Sequence, residues 1–176
     1  MKRIIPYYLL LLTAVMIFTG CTNNDVSKNQ SASLVDQTFE AQKPPAEFSG
    51  NEGTQLALTN DVVQIETASV SDGQAHFFNT TLSNGKNIYF FVVQDEEGIL
   101  RSAANACQVC YSSMMGFVQE GNSMKCKTCG NKYPLEKIAT EKGGCNPKPI
   151  NPNLKDEDGT ITITEEELEE VADLFI

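Results

Sequence analysis

Five cysteines crowd one short stretch of this chain: Cys107, Cys110, Cys126, Cys129 and Cys145. The first four form two C-x-x-C pairs, "CQVC" and "CKTC", with fifteen residues between the pairs, and Cys145 follows after another fifteen. Thiolates at this spacing can turn onto one metal ion, because the two intervening residues fold into a tight knuckle. Two knuckles brought together by a hairpin offer four sulfurs in a tetrahedron. The separation of the pairs sits at the lower edge of the range for all-cysteine zinc sites. Gly130, directly after Cys129, permits a left-handed backbone that turns amides toward the sulfurs. The first pair, in "CQVCYSS", has no such glycine.

"CKTCGNKY" therefore resembles the knuckle of rubredoxins and zinc ribbons. Zinc and iron both accept four thiolates, and four cysteines also hold iron–sulfur clusters, so the metal stays open. Cys145 lies in "GGCNPKP", where Gly143 and Gly144 are expected to let the backbone approach something bulky. It is either a cluster ligand or a reactive thiol beside the site. Disulfides are the competing use in an oxidising compartment. Five thiols leave one over, and a C-x-x-C disulfide is strained and redox-active rather than structural. Neither pair opens a helix after a strand, as a thioredoxin-type exchange site requires. Met114, Met115 and Met124 lie within the same segment. Thioether plus thiolate suits Cu(I), so copper handling is a minority reading beside plain core filling.

The remaining chemistry is sparse. His76 is the one histidine and sits in strand-like "QAHFFN". A Ser-His-Asp triad or a histidine-rich zinc hydrolase site is therefore hard to build. No glycine-rich phosphate loop is present. A redox carrier or a binding protein fits these residues better than an enzyme.

The elements that must position the cysteines are legible on either side of them. "VVQIETASV" (62–70), "QAHFFNTTL" (74–82), "NIYFFVVQD" (87–95) and the short "ILRSAA" are rich in β-branched, aromatic or apolar residues and are divided by "SDG", "SNG" and "EEG". They predict a four-stranded antiparallel meander. Residues 105–150 are loop-rich, with too few large apolar side chains to fold by burial alone, so the cysteines must hold this segment. At the C-terminus, Thr160–Ile163 alternates like a strand and Thr164–Glu167 fits a capping box. Leu168, Val171, Ala172 and Phe175 then share a helical face, while "EEELEE" is that helix's solvated side. The expected class is α+β and β-rich: a meander, a small ribbon-like cysteine segment that binds metal, and a terminal strand–helix. "DEDGTITITEEE" spaces Asp156, Asp158, Gly159 and Glu165 like calcium-loop ligands, but Leu154 stands at the first position and cannot ligate, so a turn is expected.

The N-terminus bounds the location. Lys2 and Arg3 precede a run of about fifteen apolar residues and then "FTGC". The run is short for a membrane-spanning helix of roughly 20 residues and suits a signal segment. "FTGC" resembles a bacterial lipoprotein signal, which implies cleavage of residues 1–20 and acylation of Cys21, each buried methylene contributing about 0.8 kcal/mol of membrane affinity. An uncleaved anchor helix is the alternative. Either way the chain lies on the extracytoplasmic face of the cell membrane. Residues 21–53 are polar, carry Pro44-Pro45 and read as anchor and disordered tether, leaving residues 54–176 as one domain. The net charge of −10 becomes −12 once Lys2 and Arg3 leave with the signal segment. Such acidity disfavours nucleic acid and anionic lipid head groups as partners.

Residues 98–150 carry a further resemblance. Arg101, Ala103, Ala106, Cys107, Cys110 and Tyr111 match "R-x-A-x-x-A-C-x-x-C-Y"; Gly116, Phe117, Gln119 and Gly121 match "G-[YF]-x-Q-x-G". Cys126, Cys129 and Gly130 match "C-x-x-C-G", and Gly143 to Pro147 match "G-G-C-N-P". Together they resemble the core of the membrane iron–sulfur-containing FtrD-like family, here without its bundle of transmembrane helices. The resemblance implies an iron or iron–sulfur centre, with zinc as the alternative, and an electron carrier beside an iron permease or another redox partner.

Overall fold

The alternating runs from Thr54 onward become eleven strands and one short helix in the computed structural model, which describes residues 47–176. The strands are β1 (Thr54–Gln55), β2 (Val62–Glu66), β3 (His76–Thr81), β4 (Asn87–Gln94), β5 (Leu100–Cys107), β6 (Phe117–Gln119), β7 (Ser123–Cys126), β8 (Lys132–Pro134), β9 (Pro147–Asn151), β10 (Asp156–Glu157) and β11 (Thr160–Thr164). The signal segment expected at 1–20, the acylated Cys21 and the tether up to residue 46 lie outside the described residues.

Three sheets result, with orders β1-β3-β4-β5-β9, β10-β11-β2 and β6-β7-β8. Apart from β1, which runs parallel to β3, every pairing is antiparallel. The chain is thus β-rich with one short helix, but the expected four-strand meander is not what forms. β3, β4 and β5 pair in chain order, whereas β2 pairs with β11, nearly a hundred residues away. Val63 faces Ile163 and Ile65 faces Ile161, all four buried. Cross-strand pairing of β-branched residues at the far end of the chain outcompetes the local neighbour.

β4 explains the layering. Ile88, Phe90 and Val92 point to one face and Phe91 and Val93 to the other, and all five are buried. A strand covered on both faces reads as a continuous apolar run, and "IYFFVV" is one. One face packs against the β2–β11 sheet and the C-terminal segment. The other packs against the cysteine segment. β5 repeats the division with smaller residues, Ala104 and Ala106 on the first side and Ala103 and Cys107 on the second. Its edge partner β9 carries Pro147 and Pro149, which an edge strand tolerates.

The expected capping box is present: Thr164 Oγ1 accepts from the Glu167 amide and Glu167 reaches back to the Thr164 amide. The helix α1 (Glu165–Glu169) lasts five residues and is followed by a 3-10 turn at Ala172–Leu174. Of the expected helical face, Leu168 is buried within α1, Val171 and Phe175 are buried beyond its end, and Ala172 is half-buried. The calcium-like segment is a hairpin: Asp158 and Gly159, at φ 53° and 84°, form the two-residue turn between β10 and β11.

One stretch assigned to the tether is packed. The Phe48 ring stacks on Tyr89 at 3.9 Å, and the Ser49 amide donates to the Met114 carbonyl at 2.8 Å. A single half-buried aromatic ring is enough to draw this polar stretch onto the domain.

Candidate metal centre

Three separate pieces of backbone deliver the five sulfurs. The first pair hangs on the end of β5: Cys107 is its last residue, on the face turned away from the main core. The chain then turns sharply enough for the Cys110 amide to donate to the Cys107 sulfur at 3.4 Å. A 3-10 turn (Tyr111–Ser113), left-handed Met114 and left-handed Gly116 then redirect the chain into β6.

The second pair hangs on the end of β7. Cys126 closes that strand, its amide donating to the Asn131 carbonyl at 2.9 Å, and the Gly130 amide returns to the Cys126 carbonyl at 2.9 Å. Gly130 has φ 78°, the left-handed geometry its position after Cys129 implied. The Asn131 amide is thereby aimed at Cys129 and holds that thiol below its ordinary value. Lys127, inside the pair, ties this knuckle to the entry of β6 by donating its amide to the Gly116 carbonyl.

The third piece is the loop from Leu135 to Asn146. The Arg101 guanidinium sits between the Asp95 carboxylate, at 2.7 Å, and the Ile138 carbonyl, at 3.2 Å, pinning the start of the loop to β5. Gln108 pins its end. The Gln108 amide donates to the Asn146 carbonyl, its side-chain Nε2 donates to Asn146 Oδ1 at 2.6 Å, and its Oε1 accepts from the Gly143 amide at 3.0 Å. Gly143 and Gly144 are left-handed, at φ 87° and 73°, and a side chain at either would meet open space. Both are conformations that the turn requires of glycine. Nothing in the spacing of the sequence marked Gln108, whose role appears only once the loop is seen closing over the first knuckle.

The five sulfurs converge. They form two groups of three, Cys107 with Cys110 and Cys145, and Cys110 with Cys126 and Cys129, all within 4.8 Å of one another inside each group. No disulfide links them. Cys107 and Cys126 are buried, Cys110 and Cys145 half-buried, and Cys129 is exposed. Three thiolates on one tetrahedral ion at a metal–sulfur distance of about 2.3 Å lie ~3.8 Å apart, so each group has the spacing and donor chemistry of a metal site.

The thiols differ in their electrostatic surroundings. Burial raises the Cys107 thiol, and burial together with Cys107 and Cys129 pushes Cys110 up to about 12. Backbone amides lower the Cys129 thiol but not the whole set; a bound cation would stabilise every deprotonated sulfur at once. The surrounding segment, 105–150, carries six lysines against three glutamates in a chain that is acidic overall.

The other candidates fall away from this centre. Met124 is buried with the cysteines, Met114 belongs to the opposite core and Met115 is exposed. They fill space on different faces and do not converge as a thioether set. His76 pairs with exposed Asp72 at 2.8 Å. Among the described residues, no helix is long and apolar enough to cross a membrane.

Comparison with known proteins gives one family. No curated protein matches the chain. Solved structures of the quaternary ammonium Rieske monooxygenase CntA, one with the inhibitor MMV12 and one with its substrate gamma-butyrobetaine, are similar at TM-scores of 0.40 and 0.37 and identities of 10% and 12%. Each likeness covers 64% of this chain and 32% or 33% of the other, so this chain spans about a third of the length of those structures. The family described as membrane iron–sulfur-containing, FtrD-like, matches residues 70–175, from the end of β2's following turn to the penultimate residue. That is more than half of the sequence and includes all five clustered cysteines, and the chain belongs to the membrane iron–sulfur-containing FtrD-like family.

Proposed function

We propose that this chain is an extracytoplasmic, lipid-anchored electron carrier whose cysteines hold iron or an iron–sulfur centre and which serves a membrane iron-transport system. The observation that carries the reading is the convergence of five sulfurs in a member of a family described as iron–sulfur-containing. Cys107, Cys110, Cys126 and Cys129 would hold the metal, with Cys145 as the fifth ligand. Bound there, iron would supply one-electron acceptance and donation. The chain's own residues do the rest. Cys107 and Cys126 are shielded from water, the Asn131 and Cys110 amides face sulfurs, and both influences tune a thiolate-held centre. Exposed Cys129 brings one edge of the site to the surface, where a redox partner can approach. The reading takes residues 1–20 as a signal segment, Cys21 as the acylated residue, the polar stretch between Cys21 and Phe48 as anchor and tether, and an iron permease or a redox protein as the partner.

Purification of the full chain without oxygen, followed by iron and sulfide analysis, visible absorption and voltammetry, tests this. Iron with a reversible one-electron wave is expected. A colourless, redox-silent protein containing zinc overturns it. That outcome defines the second reading, a structural zinc site in a docking module, which the well-formed Cys126–Gly130 knuckle favours.

A further inference from the structure

Of the five sulfurs only Cys110 belongs to both groups. A mononuclear site would gather four sulfurs into one set and leave a fifth aside. The described residues instead divide them three and three about a shared member. We propose that Cys110 is a bridging thiolate and that the centre takes two thiophilic metal ions, one held by Cys107 and Cys145 and the other by Cys126 and Cys129. This rests on the reading that the cysteines bind metal, and adds the nuclearity and the division of labour.

The supports of the two halves are arranged accordingly. Cys145 is fastened to the Cys107 side by Gln108, which grips Gly143 and Asn146 on either side of it. Cys126 and Cys129 are fastened to each other through Gly130 and Asn131, on a different strand. Cys110 lies between, at the end of its own turn. Charge points the same way. Five thiolates around one divalent cation leave three uncompensated negative charges in a half-buried site, while two cations leave one. Cys145 then has a use as a terminal ligand and the odd number of cysteines is accounted for: two pairs plus one shared sulfur.

The test is a metal titration of the full-length chain, stripped anaerobically, with Co(II) followed by thiolate charge-transfer absorption and Cd(II) followed by cadmium NMR. Two equivalents per chain are expected, with two cadmium resonances in the thiolate range coupled to each other. Cys145→Ser should weaken one site at least tenfold and leave the other. Cys110→Ser should abolish the coupling and lower the stoichiometry, and native mass spectrometry of the same variant, with circular dichroism for its sheet content, separates this from misfolding. Saturation at one equivalent in the unaltered chain, or two coupled sites surviving Cys110→Ser, overturns the proposal. Either result leaves the electron-carrier reading standing; conversely, a zinc-filled, redox-silent native centre ends that reading but not the two-ion stoichiometry.

Discussion

The two faces of β4 and β5 are built by different physics. On one face Phe78, Phe90, Ile161, Ile163, Leu168 and Phe175 close a core of large apolar side chains. On the other, Phe91, Phe117, Met124 and Leu135 are accompanied by Cys107 and Cys126, with Cys110 and Cys145 at the margin. The first face can be held by burial, at roughly 25 cal/mol per Å². The second is covered by three-residue and four-residue strands, turns and a long loop, around a smaller cluster in which Phe117, Met124, Leu135 and Ile138 are buried beside the cysteines. A metal bound by the sulfurs would add cross-links to the smaller of the two cores.

The comparison is broken most directly by taking the metal away. Structural sites of this donor type contribute about 10 kcal/mol or more of apparent binding free energy. Chelation should therefore abolish hydrogen-exchange protection in β6, β7, β8 and the Leu135–Asn146 loop while β3, β4 and β11 keep theirs. A uniform loss of protection would mean that the two faces are one cooperative unit. Next in size, Phe90→Ala should cost about 3–5 kcal/mol in denaturant unfolding and leave metal affinity nearly unchanged, because Phe90 faces only the apolar side. Arg101→Lys keeps the charge beside Asp95 but loses the fork that also reaches the Ile138 carbonyl. A cost of about 1–3 kcal/mol is expected, together with faster exchange of the Leu135–Asn146 amides, which a purely local defect would not produce. Thr164→Ala removes the cap of a five-residue helix and should cost about 1 kcal/mol by thermal or denaturant unfolding.

The smallest effect concerns Glu120, between the two lysines of the β6–β8 sheet. Lys125 and then Lys132 hold its carboxyl down to about 2 from an ordinary 4.5. The folded value lies below the unfolded one. The stabilisation is therefore complete above pH 4.5 and lost as pH falls toward 2. A pH titration of the Glu120 carboxyl by NMR checks this, and a midpoint near 4.5 would remove the network from the account.

Much of this was legible in sequence because it is local. The strand runs, the Thr164–Glu167 capping box, the hairpin at Asp158-Gly159 and the left-handed Gly130 all depend on residues within a few positions of one another. The five cysteines were legible as a set because their spacing is chemical. What was not legible is non-local. β2 reads like the first strand of a meander, and only the matching Ile161 and Ile163 pull it into another sheet. Phe48 was hidden in a polar stretch, and its partners Tyr89 and Phe175 lie about forty and well over a hundred residues further on. Gln108 looks like filler between two cysteines, and its hydrogen bonds reach residues more than thirty positions on. The two-group arrangement of the sulfurs likewise follows from loop closure, which spacing does not encode.

β5 is the strand that both faces share, and along it the parity of a residue number decides its chemistry: Ala104 and Ala106 belong to the apolar side, Ala103 and Cys107 to the sulfur side. Inserting one residue between Gly98 and Cys107 would preserve every side chain and every hydrogen-bonding group, yet rotate the first ligand by half a turn into the hydrocarbon interior. The same insertion in the loop before Cys145 would only lengthen a tether. In this molecule the reading frame of a single strand, more than the identity of any residue in it, keeps sulfur chemistry and oil apart.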